Sequence, residues 1–367
     1  MPPIRLKRKD LLPGSGEGVP PQGKKPLGGL AEGRRKTRRN EVSCMAKPVA
    51  VITGASSGIG LVFARRLAKD HDLVLVARRW DKLEQAAHEL TSTYGTKVDL
   101  VQADLTVDED LILVTNRIAG EPHLALLINN AGFGAGGPFW ETSLELQEEM
   151  HRLHILATLR LTHIALRNMV ANTAANPSAG PATSGSATTS ANPAATTAAN
   201  SVGNAAANPA ATAVANPVAS AEARATAPSA FPIGIINVAS VAAFFSRAGS
   251  VSYGSTKAWM TSFTESLAMD LKAAGSPIRV QALCPGYTYS EFHDTMGIDR
   301  TKLAGSALWM TAESVVDASL AGLAEGRLYV VPGWRYRALV AILPRLPVRL
   351  RMVALSAGTK RIGKGER

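Results

Sequence analysis

Apolar runs of strand length alternate with segments of helical period along most of this chain, and few architectures accept that alternation. The strand-like runs are Val49–Thr53, Leu73–Ala77, Val98–Gln102, Leu124–Asn129, Ile233–Ala239, Arg279–Leu283 and Leu328–Val331. Helix-period segments separate them at Ile59–Lys69, Lys82–Tyr94, Glu109–Ile118, a long Ser143–Val170, Tyr253–Ala274 and Ala312–Ala324. Strands and helices in strict alternation specify an α/β domain. The expectation is a single doubly wound, mostly parallel, seven-stranded sheet with helices on both faces. One domain over 45–335 accounts for the pattern better than two.

Two stretches interrupt it. Residues 1–44 are rich in Pro, Gly, Lys and Arg and carry neither period. So little apolar surface does not offset the entropy of ordering, so a disordered basic tail is expected. It holds no apolar run of the length a secretory signal needs. Its Arg34-Arg35-Lys36-Thr37-Arg38-Arg39 run reads either as a phosphate contact or as a solvated tail. Met45, just ahead of the first strand, offers another reading, a mis-assigned start. The second stretch, 172–230, is dominated by Ala, Asn, Thr, Ser and Pro, with Asn176, Asn192, Asn200, Asn208 and Asn216 on an eight-residue grid. That spacing matches neither secondary-structure period, and proline at this frequency breaks helices. A disordered, low-complexity surface insertion is expected. Each doubling of loop length costs only about 0.6 kcal/mol, which a domain tolerates.

The formal net charge of +11 is unevenly placed: +7 on 1–44, +9 on 327–367 and −5 on the body between them. The basicity belongs to the ends, so no specific nucleic-acid-binding core is expected. Two cysteines, Cys44 and Cys284, exclude a disulfide framework and a cysteine-rich zinc site and point to a reducing, cytoplasmic setting.

The first strand runs directly into Thr53-Gly54-Ala55-Ser56-Ser57-Gly58-Ile59-Gly60 and then into a helix. Glycines there let backbone turn tightly and approach a pyrophosphate, whose charge the helix N-terminus favours. Further along stand Asp104-Leu105 after the third strand and Asn129-Asn130-Ala131-Gly132 at the end of the fourth. Ser240 closes the fifth strand, Tyr253-Gly254-Ser255-Thr256-Lys257 opens the next helix, and Pro285-Gly286-Tyr287-Thr288 follows the sixth strand. In order and spacing these motifs resemble those of the short-chain dehydrogenase/reductase family over roughly 46–335.

The resemblance implies a Rossmann-type fold and a nicotinamide nucleotide held by Thr53, Gly54, Ser56, Ser57, Gly58, Ile59, Gly60, Asp104, Leu105, Asn130, Ala131, Gly132, Tyr253, Lys257, Pro285, Gly286 and Thr288. It implies interconversion of a small-molecule carbonyl and alcohol by Ser240, Tyr253 and Lys257. Tyr253 and Lys257, four apart at a helix start, share one face. A neighbouring ammonium favours the phenolate and lowers a tyrosine pKa from its ordinary value near 10. Ser240 donates a hydrogen bond to the substrate oxygen. The family often places Asn in the middle of its fourth helix to support a water relay, and here that place holds His154. An imidazole either keeps the relay or loses it. Should catalysis be impaired there, the alternative is a cofactor-binding regulatory or scaffold protein. His151, His154 and His163 lack the carboxylate or Cys pattern of a metal site and are expected to be ordinary helix histidines, with no metal.

NAD-preferring relatives end the second strand with an acid, but this one ends Val76-Ala77-Arg78-Arg79-Trp80. Arg78 is placed to pair with a 2′-phosphate, so NADP(H) is expected over NAD(H). Phe133, Phe139, Trp140, Phe244, Phe245, Tyr287 and Trp309 suggest an apolar substrate pocket, to which Phe292–Leu308 also contributes. At the head of the basic C-terminal segment 336–367, the stretch Trp334–Arg351 cannot span a bilayer, because arginines and prolines interrupt its apolar runs. It is suited to peripheral contact with an anionic membrane surface, to covering the substrate cleft, or to ordinary packing. By resemblance, a homo-oligomer, dimer or tetramer, forms through Glu145–Arg167 and Lys257–Lys272.

Overall fold

The strand Val49–Thr53 sends Ala50 and Ile52 into one layer of core and Val49 and Val51 into the other, and all four are buried. A strand buried on both faces must be apolar throughout, which is why its sequence shows no alternation. The computed structural model describes residues 4–6, 47–175, 232–291 and 308–359. Its strands are β1 (Ile4–Leu6), β2 (Val49–Thr53), β3 (Asp72–Ala77), β4 (Val98–Gln102), β5 (Leu124–Asn129), β6 (Gly234–Val238), β7 (Arg279–Leu283) and β8 (Tyr329–Val330). They form one all-parallel sheet in the order β1-β4-β3-β2-β5-β6-β7-β8. The seven expected strands are all present.

The eighth, β1, lies inside the tail expected to be disordered and departs from that expectation. It pairs Ile4–Leu6 with Asp99–Val101 at the outer edge of β4. An edge strand offers unpaired N–H and C=O groups that template one more strand, and Ile-Arg-Leu has the two-residue period to supply it. The rest of the tail through 46, the insertion beyond 175, the pocket stretch 292–307 and the end from 360 lie outside the described residues.

Helices α1 (Gly58–Leu67), α2 (Trp80–Tyr94) and α7 (Ala312–Ala324) cover one face, burying Phe63, Leu83 and Val315. Helices α3 (Asp108–Ala119), α5 (Thr158–Ala175) and α6 (Val251–Ala273) cover the other, through residues such as Leu111, Leu161 and Leu267. Each large apolar side chain buried this way contributes about 1.5–3 kcal/mol.

The single long helix expected over Ser143–Val170 is three segments. They are α4 (Leu144–His151), a π-helical turn Arg152–Ala157, and α5. A π turn rotates the apolar face by about one residue, and a shift confined to six residues does not stand out in the period of a long helix. The helix also runs to Ala175, past the expected start of the insertion. There Asn172 donates to Asn168 Oδ1 (2.8 Å), and Thr173 donates to the Met169 carbonyl. Beyond β8, α8 (Trp334–Ile342) and α9 (Val348–Thr359) carry exposed Trp334, Ile342, Leu350 and Met352. No helix among the described residues is long and apolar enough to cross a membrane.

Candidate active site

Strand order reverses between neighbours β2 and β5. The loops leaving their C-terminal ends part there and open a crevice, the place where sheets of this kind bind ligands. Side chains staple the two strand ends together. The Thr53 hydroxyl accepts the backbone N–H groups of Asn130 and Ala131, each at 3.0 Å. In return the Asn130 amide donates to the carbonyls of Thr53 (2.9 Å) and Gly54 (3.2 Å).

The glycines follow from this closeness. Gly54 and Gly58 sit at φ +66° and +55°, which only glycine adopts without strain. A Cβ on Gly60 would lie 2.4 Å from the Gly54 carbonyl oxygen and 2.5 Å from Asn130 Nδ2. Gly60→Ala is therefore expected to displace the loop. The outcome to look for is a stability loss of about 1–3 kcal/mol in thermal unfolding, together with weakened dinucleotide binding in a fluorescence titration.

At the mouth of this loop α1 begins with no acidic residue in its first turn, and its N-cap Ser57 makes no side-chain capping bond. Free N–H groups at a helix start favour an anion, so a dinucleotide pyrophosphate fits the cradle. The adjoining cavity measures about 1660 Å³. Ligand pockets usually measure about 300–1,000 Å³, so this one has room for a dinucleotide with a second molecule beside it. Gly54, Ser56, Ser57, Gly58, Ile59, Arg78, Asp104, Leu105, Asn130, Ala131, Gly132, Ser240, Tyr253, Lys257, Pro285, Gly286 and Thr288 all line it. Three expected site residues do not. Thr53 and Gly60 lie behind the lining as scaffolding, and His154 is fully buried.

Ser240, just past β6, is held by the turn it starts, where its Oγ accepts the Ala242 N–H at 3.1 Å. It is also hydrogen-bonded to Tyr253 in the first turn of α6. Lys257, one turn further on, is buried, donates to the Val238 carbonyl at 2.8 Å and sits 5.8 Å from the centre of the Tyr253 ring. Burial pushes Tyr253 up to about 12, with the Ser240 bond pulling the other way, and pushes Lys257 down to about 7. The expectation of a lowered tyrosine pKa is thus reversed in the protein alone. Desolvation disfavours both charged forms and is the leading cause of both shifts in the protein alone.

A stability change follows for the unliganded protein. Between about 7 and 10.5 the unfolded chain keeps the Lys257 proton that the folded chain gives up, so stability rises with pH there. Cys284, raised by burial to about 12 from 9.0, opposes this above pH 9. Denaturant midpoints are expected to climb from about pH 7 to 9, and Lys257→Met should flatten the climb.

His154, in the π turn, bridges the Phe133 loop and α6. Thr256 Oγ donates to the Tyr253 carbonyl (3.0 Å), so His154 Nδ1 is the donor in its 2.9 Å bond to Thr256 Oγ. That assigns Nε2 as acceptor of the Phe133 N–H at 3.3 Å. Burial, with Lys257 and His151 nearby, holds the imidazole well below its ordinary pKa and so neutral. Nε2 also packs on Gly132, where a Cβ would come within 2.8 Å of it. Both nitrogens are engaged by protein.

The two arginines after β3 take different partners. Arg78 turns to Asp104 at 3.6 Å and is largely exposed. Arg79 lies over the glycine loop, donating to Ser56 Oγ (3.0 Å) and Ser57 Oγ (2.9 Å) and pairing with Glu291 (2.8 Å). Arg78 directly follows the strand, whereas Arg79, the extended N-cap of α2, reaches over the loop. Burial raises the Asp104 carboxyl, but Thr106 hydrogen bonds and Arg78 outweigh this and hold it below the usual range.

Of the expected pocket aromatics, Phe133, Phe139, Trp140, Phe245 and Tyr287 line the cavity. Phe244 instead packs edge-on against Tyr329, and Trp309 stacks on Tyr289 behind the wall. Sequence reasoning missed Tyr336. Its ring covers Gly286, where a Cβ would come within 2.0 Å of Cζ, and its hydroxyl accepts the Tyr287 N–H (3.0 Å) and donates to the Leu308 carbonyl (2.7 Å). No local motif marks it. Among the described residues no three metal-ligating side chains gather.

A glycine loop at the switch point of a parallel sheet, sharing one cavity with Ser240, Tyr253 and Lys257, defines a Rossmann-type α/β class. The family described as short chain dehydrogenase matches residues 48–226 and 233–300. The chain belongs to that family. It is 36% identical over 128 residues to a very-long-chain 3-oxoacyl-CoA reductase of Pyrenophora tritici-repentis (strain Pt-1C-BFP), covering 33% of this chain and 37% of that one. It is 34% identical over 124 residues to human 17-beta-hydroxysteroid dehydrogenase type 3, covering 33% and 39%. The chain thus spans well under half the length of these curated relatives. The solved short-chain dehydrogenase from Sphingobium yanoikuyae in complex with NADPH superposes with a TM-score of 0.58 at 28% identity, covering 87% of this chain and 96% of that one.

Proposed function

We propose that this protein is an NADP(H)-dependent reductase of an apolar ketone or aldehyde. The carrying observation is that Ser240, Tyr253 and Lys257 open onto the same cavity as the glycine cradle. When bound, the nicotinamide supplies a hydride to the carbonyl carbon. The Tyr253 hydroxyl delivers the proton to the carbonyl oxygen, which leaves an alcohol and the oxidised nucleotide. Ser240 donates a second hydrogen bond to that oxygen and stabilises the charge developing on it. Lys257, when protonated, favours the phenolate that Tyr253 becomes.

His154 acts as a strut in this reading. Its two hydrogen bonds tie the Phe133 loop to Thr256, one residue before Lys257. Arg79, with Ser56 and Ser57, is the group for the 2′-phosphate. The apolar side chains of the cavity support an apolar substrate, as do the long-chain acyl and steroid substrates in the names of the relatives. The test is NADPH oxidation with a panel of ketones and aldehydes. Turnover of small polar sugars but not of apolar ketones would sink the substrate reading. Nucleotide binding with no turnover across a broad panel would favour the scaffold alternative.

A further inference from the structure

The charges lining the cavity are divided between its ends. Its only carboxylates among the described lining residues are Asp104 and Glu291, both at the nucleotide end and held by Arg78 and Arg79. The other end carries Arg247 and Arg335 among Phe245, Tyr287, Leu339 and Leu355. Arg247, on the loop between Ser240 and α6, is half-buried and donates through Nη1 to the Tyr287 hydroxyl at 2.9 Å. A guanidinium has five N–H donors, and a phenol is a neutral partner for one of them. No ion pair joins Arg247 to a carboxylate among the described residues. A half-buried cation in an apolar wall is favoured by an anion that enters with the ligand.

We propose that Arg247 binds an anionic oxygen group at the far end of the substrate, so that the preferred substrate is an apolar carbonyl compound bearing a carboxylate or phosphate. This rests on the reading of the site as a carbonyl reductase. Tyr287 sets the pose of the guanidinium, and its own backbone N–H is anchored by Tyr336. Arg335 adds positive potential from α8.

The test compares a long-chain oxo acid, its methyl ester and the matching phosphate ester in wild type, Arg247→Met and Arg247→Lys. Wild type is expected to favour the charged compounds over the methyl ester by about tenfold or more in kcat/KM. Arg247→Met should erase that preference through KM while methyl-ester turnover stays unchanged, and Arg247→Lys should keep part of it. Equal wild-type turnover of acid and methyl ester overturns the proposal, as does an equal loss of both in Arg247→Met. The ratio of the acid to the phosphate ester tells which anion the site takes. A second arm titrates a long-chain fatty acid, which has no carbonyl to reduce, into Tyr253→Phe protein with NADPH present, following nucleotide fluorescence. Binding that needs Arg247 and weakens with salt supports the anion site even if no carbonyl is turned over. Binding indifferent to Arg247 sinks it even if the reductase reading stands.

Discussion

Tyr253→Phe is expected to lower kcat by about 10²–10⁴-fold, the usual contribution of a positioned acid/base group, and to leave NADPH affinity essentially unchanged. The substitution keeps the ring, which meets His154 edge-on with centroids 5.9 Å apart, and removes only the hydroxyl bonded to Ser240. Packing is therefore conserved while the proton donor is lost. Single-turnover oxidation of bound NADPH separates the chemical step from binding. Loss of rate with intact binding would carry the reductase reading. Turnover close to that of wild type would remove Tyr253 from the chemistry and return the site to the scaffold alternative.

The second large effect concerns nucleotide choice. Arg79→Met should weaken NADPH binding by about 10–100-fold, the value of a charge-assisted bond of about 1.5–3 kcal/mol. NADH affinity should hardly change, because NADH lacks the 2′-phosphate. Arg78→Met should do much less, since that side chain is largely exposed and faces Asp104. Glu291→Gln is the informative companion. Its carboxylate occupies Arg79 at 2.8 Å and would repel an incoming phosphate, so the amide should bind NADPH more tightly. Both dissociation constants can be read from nucleotide fluorescence on each variant. Equal losses for NADPH and NADH in Arg79→Met would show that Arg79 only braces the loop.

The seven main strands and the crevice they create were legible because each depends on neighbours in sequence. A buried parallel strand must be a short apolar run, and a nucleotide loop needs its glycines within a few residues of a strand end and a helix start. Ser240, Tyr253 and Lys257 stood out through the resemblance of their motifs to the family's, and the structure brings them onto one cavity. The edge strand Ile4–Leu6 was not, because three residues make no pattern without the β4 edge to pair with. The π turn at Arg152–Ala157 was not, because a shift of the apolar face confined to six residues does not stand out in a long helix.

Sequence alone determined the alternation of strands and helices in this protein and the position of its glycine cradle, and by resemblance it marked Ser240, Tyr253 and Lys257. Tertiary structure decided that Arg79 rather than Arg78 lies over the loop and that Tyr336 closes on Gly286 from α8. It also decided that His154 spends both nitrogens on protein partners and that Arg247 faces the cavity with a phenol as its hydrogen-bond partner. These outcomes rest on contacts between groups tens of residues apart. Backbone propensity and apolar period act over one or two turns, whereas desolvation and charge pairing depend on which distant groups folding brings together.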